Sequence, residues 1–243
     1  MAALREVFGE GLVGVYLHGS AVSGGLRPHS DIDILAVVAR PLSDEERQGL
    51  LAALLAISAP HPAPVSGPRC IEVIVFTRAA LGAGGFPAEA EFVFGEWLRA
   101  AFEAGEAPGP VPDPENTLIL AQARLASHPL YGPGAAALLP PVPAQDVRRA
   151  MREALPALLA GLAGDETNVL LTLARMWRTA TMGYFVAKDE AALWAAARLP
   201  RRAAAVLDLA KAGYRGSAVD WDDRAAEVRR TAACLAERVT AQL

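Results

Sequence analysis

The feature that most constrains the fold is a change of pattern near the middle of the chain. In the first half, short runs rich in β-branched residues alternate with helical segments, which is typical of an α/β or α+β domain. After Ala144 the strand patterns vanish, and amphipathic segments rich in alanine and leucine dominate. Residues 132–143, rich in glycine and proline, separate the two patterns and are typical of a linker. The sequence therefore predicts an α/β (α+β) domain over residues 1–142 and an all-α helical bundle over residues 143–243.

Local signals predict the boundaries of several elements. Ser43 is a suitable N-cap for a helix over residues 44–57, and Glu46 completes a capping box. Asp113 followed by Pro114 opens a further helix. Strands are predicted at residues 12–17, 31–38 and 70–76, further helices of the first half at residues 88–103 and 114–126, and bundle helices at residues 145–162, 166–186, 189–197, 200–212 and 222–241.

Charge and composition argue against several classes of function. The net charge is −4 and no basic stripe is present, whereas nucleic-acid binders need basic surfaces to neutralise phosphates. Cys70 and Cys234 are too few and too widely spaced to indicate a disulfide framework or a zinc site. The first residues carry charges where a signal peptide needs an apolar core, and the longest apolar stretch, residues 50–59, is too short to cross a bilayer. We therefore expect a cytoplasmic protein with neither a nucleic-acid nor a membrane partner.

Three acidic residues occupy unusual positions on the predicted strands. Asp31 and Asp33 open the second strand, and their side chains project from the same face because residues alternate along a strand. Glu72 lies inside the apolar third strand, where an unpaired buried carboxylate would cost roughly several kcal/mol. Mg²⁺ would compensate these charges, because it binds a few carboxylates together with substrate phosphates. The pattern thus indicates metal-assisted phosphoryl chemistry.

The turn after the first strand has the residues that a phosphate site needs. Gly19 allows close approach of the backbone to a ligand, and Ser20 adds a hydroxyl contact. Each of these signals is common when it occurs alone. Their occurrence in order, on the expected elements, favours a nucleotide triphosphate bound between this turn and the metal.

The chain resembles the aminoglycoside 3''/9-adenylyltransferases of the nucleotidyltransferase superfamily, which modify streptomycin and spectinomycin. The resemblance is carried by residues 19–33 (GSAVSGGLRPHSDID), 91–97 (EFVFGEW) and 164–177 (GDETNVLLTLARMW), and it extends over nearly the whole chain. It implies a nucleotidyltransferase domain with a short mixed sheet, a helical domain that completes the ATP and drug site, and transfer of AMP from ATP to a hydroxyl group.

The resemblance also implies roles for the three acidic residues. Asp31, Asp33 and Glu72 would hold Mg²⁺, as two ions, and Glu72 would be the catalytic base. These roles agree with the chemistry, since the acceptor hydroxyl must lose its proton as it attacks the α-phosphorus.

Further contacts are implied by matching positions. Arg175, Lys188 and Tyr214 would bind ATP from the helical domain, and Trp97 and Asp165 would contact the drug. Each has an alternative structural role: Arg175 and Lys188 as solvated helix residues, Tyr214 in packing, Trp97 as core at the end of a helix, and Asp165 as a helix N-cap.

One departure bears on the substrate. Members that modify streptomycin carry an additional tryptophan and aspartate where this chain has Pro156 and Gly161, and neither residue type occurs between Glu153 and Asp165. Streptomycin has guanidinium groups that need acidic partners, so we expect spectinomycin to be the preferred substrate. Other acceptors, a protein hydroxyl or an RNA end, and an inactive nucleotide-binding regulator are the competing interpretations. We expect a monomer.

Overall fold

A computed structural model of the chain describes residues 1–64 and 67–243. The chain divides into two compact units, Met1–Pro143 and Ala144–Leu243. Within the described residues, no helix is both long enough and apolar enough to pass through a membrane.

The N-terminal unit is built on a five-stranded mixed sheet in the order β5-β3-β2-β1-β7. Strands β2 and β3 are parallel and the other neighbours are antiparallel, in agreement with the predicted mixed sheet. A two-stranded sheet joins β4 to β6. The strands are β1 (Leu12–Leu17), β2 (Ile32–Val38), β3 (Ile71–Thr77), β4 (Glu89–Ala90), β5 (Phe92–Phe94), β6 (Val111–Pro112) and β7 (His128–Tyr131), and the helices are α1 (Ala2–Phe8), α2 (Asp44–Ile57), α3 (Arg78–Ala83), α4 (Arg99–Glu103), α5 (Pro114–Leu125) and α6 (Ala135–Leu138).

The main sheet is buried on both faces. Along β2, Ala36 and Val38 belong to one apolar cluster, whereas Leu35 and Val37 belong to a second cluster on the opposite face. A strand covered on both sides needs a continuous apolar run, and this explains why the β2 sequence is apolar throughout after its acidic start. The acidic start therefore lies at the end of the sheet, where the two core clusters stop.

Helix α2 is the crossover between the parallel strands, and it begins and ends where the sequence predicts. The Ser43 hydroxyl accepts from the Glu46 amide at 3.2 Å, and Glu46 Oε2 accepts from the Ser43 amide at 2.8 Å, which completes the predicted capping box. A buried ion pair fixes the other side of the helix, since Arg47 Nη2 lies 2.6 Å from Glu91 Oε1. The helix is thus held at its start and along its buried face.

The predicted helix over residues 88–103 is wrong. The segment forms β4, β5, a short 3₁₀ turn at Glu96–Leu98 and only then α4. Phe92 and Phe94 are completely buried, alternate with Val93, and pair with β3, so a two-residue period decides the structure. Strand β7 is not among the elements predicted from the sequence. Helix α5 agrees with the prediction, with Asp113 Oδ1 accepting from the Glu115 amide at 2.7 Å.

The C-terminal unit contains the five predicted helices. Helix α8 is central and packs against the other helices; it is buried along most of its length from Val169 to Ala180. It ends at Gly183, which adopts the left-handed conformation (φ 81°, ψ 7°) common after helices. The helices are α7 (Ala144–Ala160), α8 (Glu166–Met182), α9 (Lys188–Ala196), α10 (Arg201–Tyr214) and α11 (Ala225–Thr240).

Candidate active site

The parallel pairing of β2 and β3 brings two of the predicted acidic residues side by side. Asp33 and Glu72 are direct register partners, and directly paired residues of parallel strands project from the same face of the sheet. Asp31 lies two residues before Asp33, and the backbone there is fixed by a 2.9 Å hydrogen bond from the Ile32 amide to the Cys70 carbonyl. All three acidic residues are half-buried.

The Gly19-Ser20 turn lies against Asp33. Gly19 follows β1 after one intervening residue, His18, has φ +64°, and starts a 3₁₀ turn that contains Ser20. A Cβ atom on Gly19 would overlap Asp33 Oδ2, so only glycine allows this contact. A 3.0 Å hydrogen bond from the His18 amide to the Asp33 carbonyl joins the same two segments. The turn predicted to bind phosphate and the carboxylate predicted to bind metal are therefore adjacent.

His18 is the residue directly before this turn. Its side chain is buried, and Nε2 has no hydrogen-bond partner within residues 1–64 and 67–243. Burial lowers the pKa of His18 to about 4, so the imidazole is neutral at neutral pH.

The donor atoms at this site suit a hard cation, but they do not form a closed cage. In the described part of the chain, no three histidine, cysteine or acidic side chains are grouped so that they alone could hold a metal ion. Mg²⁺ commonly takes only one or two protein carboxylates and completes its shell with water and phosphate oxygens. The neighbouring carboxylates of Asp33 and Glu72 fit that kind of site, which needs a bound triphosphate. The roles of Asp31, Asp33 and Glu72 as metal ligands remain predictions.

Trp97 lies on the surface of the N-terminal unit and is 63 % exposed, so its alternative role as core at a helix end is wrong. It belongs to the 3₁₀ turn after β5, and its indole ring covers Gly95 so closely that a Cβ there would overlap the ring. Glycine thus leaves the space that the indole ring occupies beside the backbone.

The turn that carries Trp97 is stabilised by the interactions of Glu96 with Arg99 and Ser58. Glu96 Oε2 pairs with Arg99 Nε at 2.6 Å, and Ser58 Oγ donates to Glu96 Oε1 at 2.5 Å. Burial alone would raise the pKa of Glu96, but the hydrogen bonds from Arg99 and Ser58 hold it below its ordinary value. Ser58 Oγ also accepts from the Ile71 amide at 3.0 Å. The turn is therefore linked to the strand that carries Glu72.

In the C-terminal unit, Asp165 and Lys188 are connected through Asn168, a residue that is not among those predicted from the sequence. Asp165 occupies the N-cap position of α8, but its side chain makes no capping hydrogen bond and is exposed. Asp165 Oδ2 accepts instead from Asn168 Nδ2 at 2.8 Å, and Asn168 Oδ1 accepts from Lys188 Nζ at 2.5 Å. The three-residue spacing from Asp165 was the available signal for Asn168, because residues so spaced lie on one helix face.

The remaining predicted residues of this unit are distributed over two helices. Arg175 lies on α8, seven residues after Asn168 and hence on the same face, and Tyr214 is the last residue of α10. Both are half-buried. Of the tryptophans in this unit, Trp177 is buried and meets Trp194 edge-on at 4.9 Å, whereas Trp194 is half-buried. Trp221, also half-buried, donates from Nε1 to Thr167 Oγ1 at 3.1 Å.

Two family models match the chain. The model for the aminoglycoside adenylyltransferase C-terminal domain matches residues 137–238, and the model for the nucleotidyltransferase domain matches residues 2–63. The nucleotidyltransferase match contains the Gly19-Ser20 turn, Asp31 and Asp33. The C-terminal domain match contains Asp165 and Asn168. It also contains the three residues of the helical domain that are predicted to bind ATP, Arg175, Lys188 and Tyr214.

Individual relatives agree over most of the chain. A spectinomycin 9-adenylyltransferase from Staphylococcus aureus is 44 % identical over 227 residues, which are 93 % of this chain and 87 % of the relative. An aminoglycoside (3'') (9) adenylyltransferase from Escherichia coli is 40 % identical over 211 residues, 86 % of this chain and 80 % of the relative. A crystal structure of a spectinomycin adenyltransferase from Enterococcus faecialis with ATP and spectinomycin is 33 % identical and gives a TM-score of 0.93, covering 98 % of this chain and 96 % of that one. With this agreement in fold, motif and length, the chain belongs to the aminoglycoside adenylyltransferase family of nucleotidyltransferases.

Proposed function

We propose that the protein transfers AMP from ATP to the 9-hydroxyl group of spectinomycin, releases pyrophosphate, and thereby confers resistance to the drug. The observation that carries the proposal is the register pairing of Asp33 with Glu72 beside the Gly19 turn. It brings together the residues that we propose as metal ligand, base and phosphate site. Relatives named as spectinomycin 9-adenylyltransferases support the choice of acceptor.

The acid–base step uses Glu72. The acceptor oxygen attacks the α-phosphorus, the bond from that phosphorus to the pyrophosphate oxygen breaks, and the acceptor proton passes to the Glu72 carboxylate. Asp31, Asp33 and Glu72 would hold two Mg²⁺ ions, which would neutralise negative charge that develops during the transfer. The Gly19 turn allows the backbone to approach the phosphates, with Ser20 beside it.

Substrate recognition would depend on both predicted domains, residues 1–142 and 143–243. Arg175 and Lys188 carry the positive charge that a triphosphate needs, and Tyr214 supplies an aromatic ring with a polar end. For the drug, Trp97 offers an exposed apolar surface to a ring, and Asp165 offers an exposed carboxylate to a cationic amino group.

The preference for spectinomycin over streptomycin is argued from the residues at positions 156 and 161. Pro156 lies inside α7, and Gly161 follows directly after the end of that helix. Neither supplies the aromatic or acidic contact that the streptomycin-modifying members carry. A drug with guanidinium groups would therefore meet too few acidic partners in this segment.

The test is incubation of the purified protein with ATP, Mg²⁺ and each drug, followed by mass spectrometry of the products. We expect an AMP adduct of spectinomycin and little or none of streptomycin, loss of the product when Mg²⁺ is chelated, and loss when Glu72→Gln replaces the wild type. Modification of streptomycin alone would contradict the proposed substrate. Transfer of labelled AMP from ATP to protein or RNA in a cell extract, with none in the small-molecule fraction, would support the competing acceptors.

We also propose that the enzyme acts as a monomer in the cytoplasm. The acidic charge balance and the absence of a basic stripe in the sequence support a small cationic substrate rather than a nucleic acid or a membrane. Light scattering after size-exclusion chromatography, with and without ATP, measures the oligomeric state directly.

A further inference from the structure

One side chain in the C-terminal unit contacts a residue of each proposed ligand set. Asn168 lies in the first turn of α8 and is half-buried. Its amide nitrogen donates to Asp165, proposed to contact the drug, and its amide oxygen accepts from Lys188, proposed to contact ATP. Asp165 precedes α8 and Lys188 begins α9, so the amide joins two separate segments.

The chemistry of the two partners fixes the orientation of the amide. A carboxylate only accepts hydrogen bonds and an ammonium group only donates them. The Asn168 amide satisfies both partners in one orientation, and rotating it by a half turn would lose both hydrogen bonds at once. A change in the position of Lys188 is therefore communicated to Asp165 through a group that cannot adapt by rotation.

We propose that Asn168 is a positioning residue that couples the binding of ATP to the binding of the aminocyclitol drug. This inference rests on the proposed function, in which Lys188 faces the triphosphate and Asp165 faces the drug. When ATP fixes the Lys188 ammonium, the amide fixes the Asp165 carboxylate as well, so part of the ordering cost of drug binding is met before the drug arrives. Coupling of this kind is reciprocal, and the drug strengthens ATP binding by the same factor.

The choice of residue at this position matters because both ends of the amide are used. A leucine or alanine would remove both hydrogen bonds. An aspartate would keep an acceptor for Lys188 but would lose the donor and place a second negative charge beside Asp165, which disfavours the charged pair of carboxylates. Asn168→Asp has nearly the size and shape of the native side chain and so separates coupling from folding.

The experiment measures the dissociation constant of spectinomycin by calorimetry, with and without a saturating non-hydrolysable ATP analogue and Mg²⁺. For the wild type we expect the analogue to tighten drug binding by about tenfold, within the usual range of coupling between sites. For Asn168→Ala and Asn168→Asp we expect this ratio to fall to about onefold to twofold, with drug binding still detectable. The reciprocal measurement, affinity for the analogue with and without drug, should give the same ratio.

A matched control comes from Thr172 on the same helix, whose hydroxyl donates a third and longer hydrogen bond to Asn168 Oδ1, at 3.4 Å. Thr172→Val keeps the size of the side chain and leaves the hydrogen bonds of the amide with Asp165 and Lys188 in place, so it should retain the wild-type ratio. Circular dichroism and the melting temperature of each variant verify the fold.

The outcomes separate this inference from the proposed function. If the wild type adenylylates spectinomycin and both Asn168 variants keep the wild-type ratio, or if Thr172→Val loses it equally, the coupling role of Asn168 is overturned. An absence of coupling in the wild type overturns it as well. If the wild type does not bind or modify spectinomycin at all, the proposed function itself fails.

Discussion

The two units of the molecule hold their proposed functional residues in different ways. In the N-terminal unit, Asp33 and Glu72 are neighbours because of the register of two parallel strands, and the backbone of Gly19 contacts one of them. In the C-terminal unit, Asp165 and Lys188 are connected by the side chain of Asn168 at the starts of two helices. The backbone therefore fixes the acidic residues of the proposed chemistry, whereas side-chain hydrogen bonds fix the proposed recognition residues.

The difference has a physical consequence. A strand register cannot shift by a fraction of a residue, and a shift of one residue would turn every side chain to the other face. A side-chain hydrogen bond can lengthen or exchange with water at a modest cost. Substitutions in the N-terminal site should therefore reduce turnover steeply, and substitutions among the recognition residues should change affinity by smaller amounts.

The largest effect is expected for Gly19→Ala. The added methyl group would displace the Asp33 carboxylate, and a displacement of about 1 Å can cost about a hundredfold in kcat. Gly25→Ala is the matched control, because Gly25 also has a positive φ (+85°) but a Cβ there would meet no atom within 4 Å. Equal loss of adenylylation rate in the two variants would show that backbone strain, rather than the contact with Asp33, explains the effect.

A smaller effect, confined to drug binding, is expected for Asp165→Asn. Loss of the charge should raise KM for spectinomycin by about tenfold, the size typical of one charge-assisted hydrogen bond, with kcat nearly unchanged. Steady-state kinetics with each substrate varied in turn provides the measurement. Glu166→Gln, a neighbouring acidic residue on the same turn, should leave KM for the drug within about twofold. A fall in kcat as large as that in Gly19→Ala would break the distinction between the two units.

Gly95→Ala tests the surface on which Trp97 lies. A methyl group at position 95 would push the indole ring away from the backbone, so KM for spectinomycin should rise by about fivefold, or about 1 kcal/mol, without a change in kcat. Tryptophan fluorescence should change as the ring moves. Gly109→Ala, where an added Cβ would meet nothing within 4 Å, should change neither quantity.

The smallest effect on function is expected for Glu46→Gln, which should alter stability alone. The side-chain hydrogen bonds from Arg40 and the hydrogen bond from the Ser43 amide lower the pKa of Glu46 to about 2. The ionised carboxylate thus contributes its full stabilisation above its ordinary pKa of 4.5, and this contribution is lost as the pH falls from 4.5 towards about 2.

For this exposed cap and ion pair we expect a loss of about 1 kcal/mol at about pH 7 and a smaller difference from the wild type at about pH 3. Denaturant unfolding at both pH values measures the free energies. A changed kcat in Glu46→Gln would be unexpected, since the helix start carries none of the proposed catalytic residues.

Much of the fold could be predicted from the sequence wherever local hydrophobic periodicity or a helix cap decides the structure. The bounds of β1 and α2 agree with the prediction, because an apolar run and a capping box are local signals. The segment of Phe92 and Phe94 was assigned wrongly to a helix, since its strand is only three residues long and is decided by pairing with β3. Long-range pairing is information that a single sequence does not display.

In the candidate site, too, the sequence predicts what depends on local signals and does not predict what depends on long-range contacts. The acidic residues could be selected from the sequence, because charges inside apolar strands are conspicuous. The direct pairing of Asp33 with Glu72 depends on register, the place of Trp97 depends on a glycine that seemed ordinary, and the link through Asn168 depends on the approach of two helices. Each of these became visible only from the tertiary contacts.

The exposed ring of Trp97, resting on Gly95, has a consequence for how such an enzyme diversifies. Its supporting turn is held by Glu96, Arg99 and Ser58, none of which is one of the three acidic residues of the proposed chemistry. If Trp97 contacts the drug as proposed, its replacement would change which drug shapes fit and would leave those acidic residues in place. A drug altered at the part proposed to contact this ring would then be within reach of a single substitution at the surface.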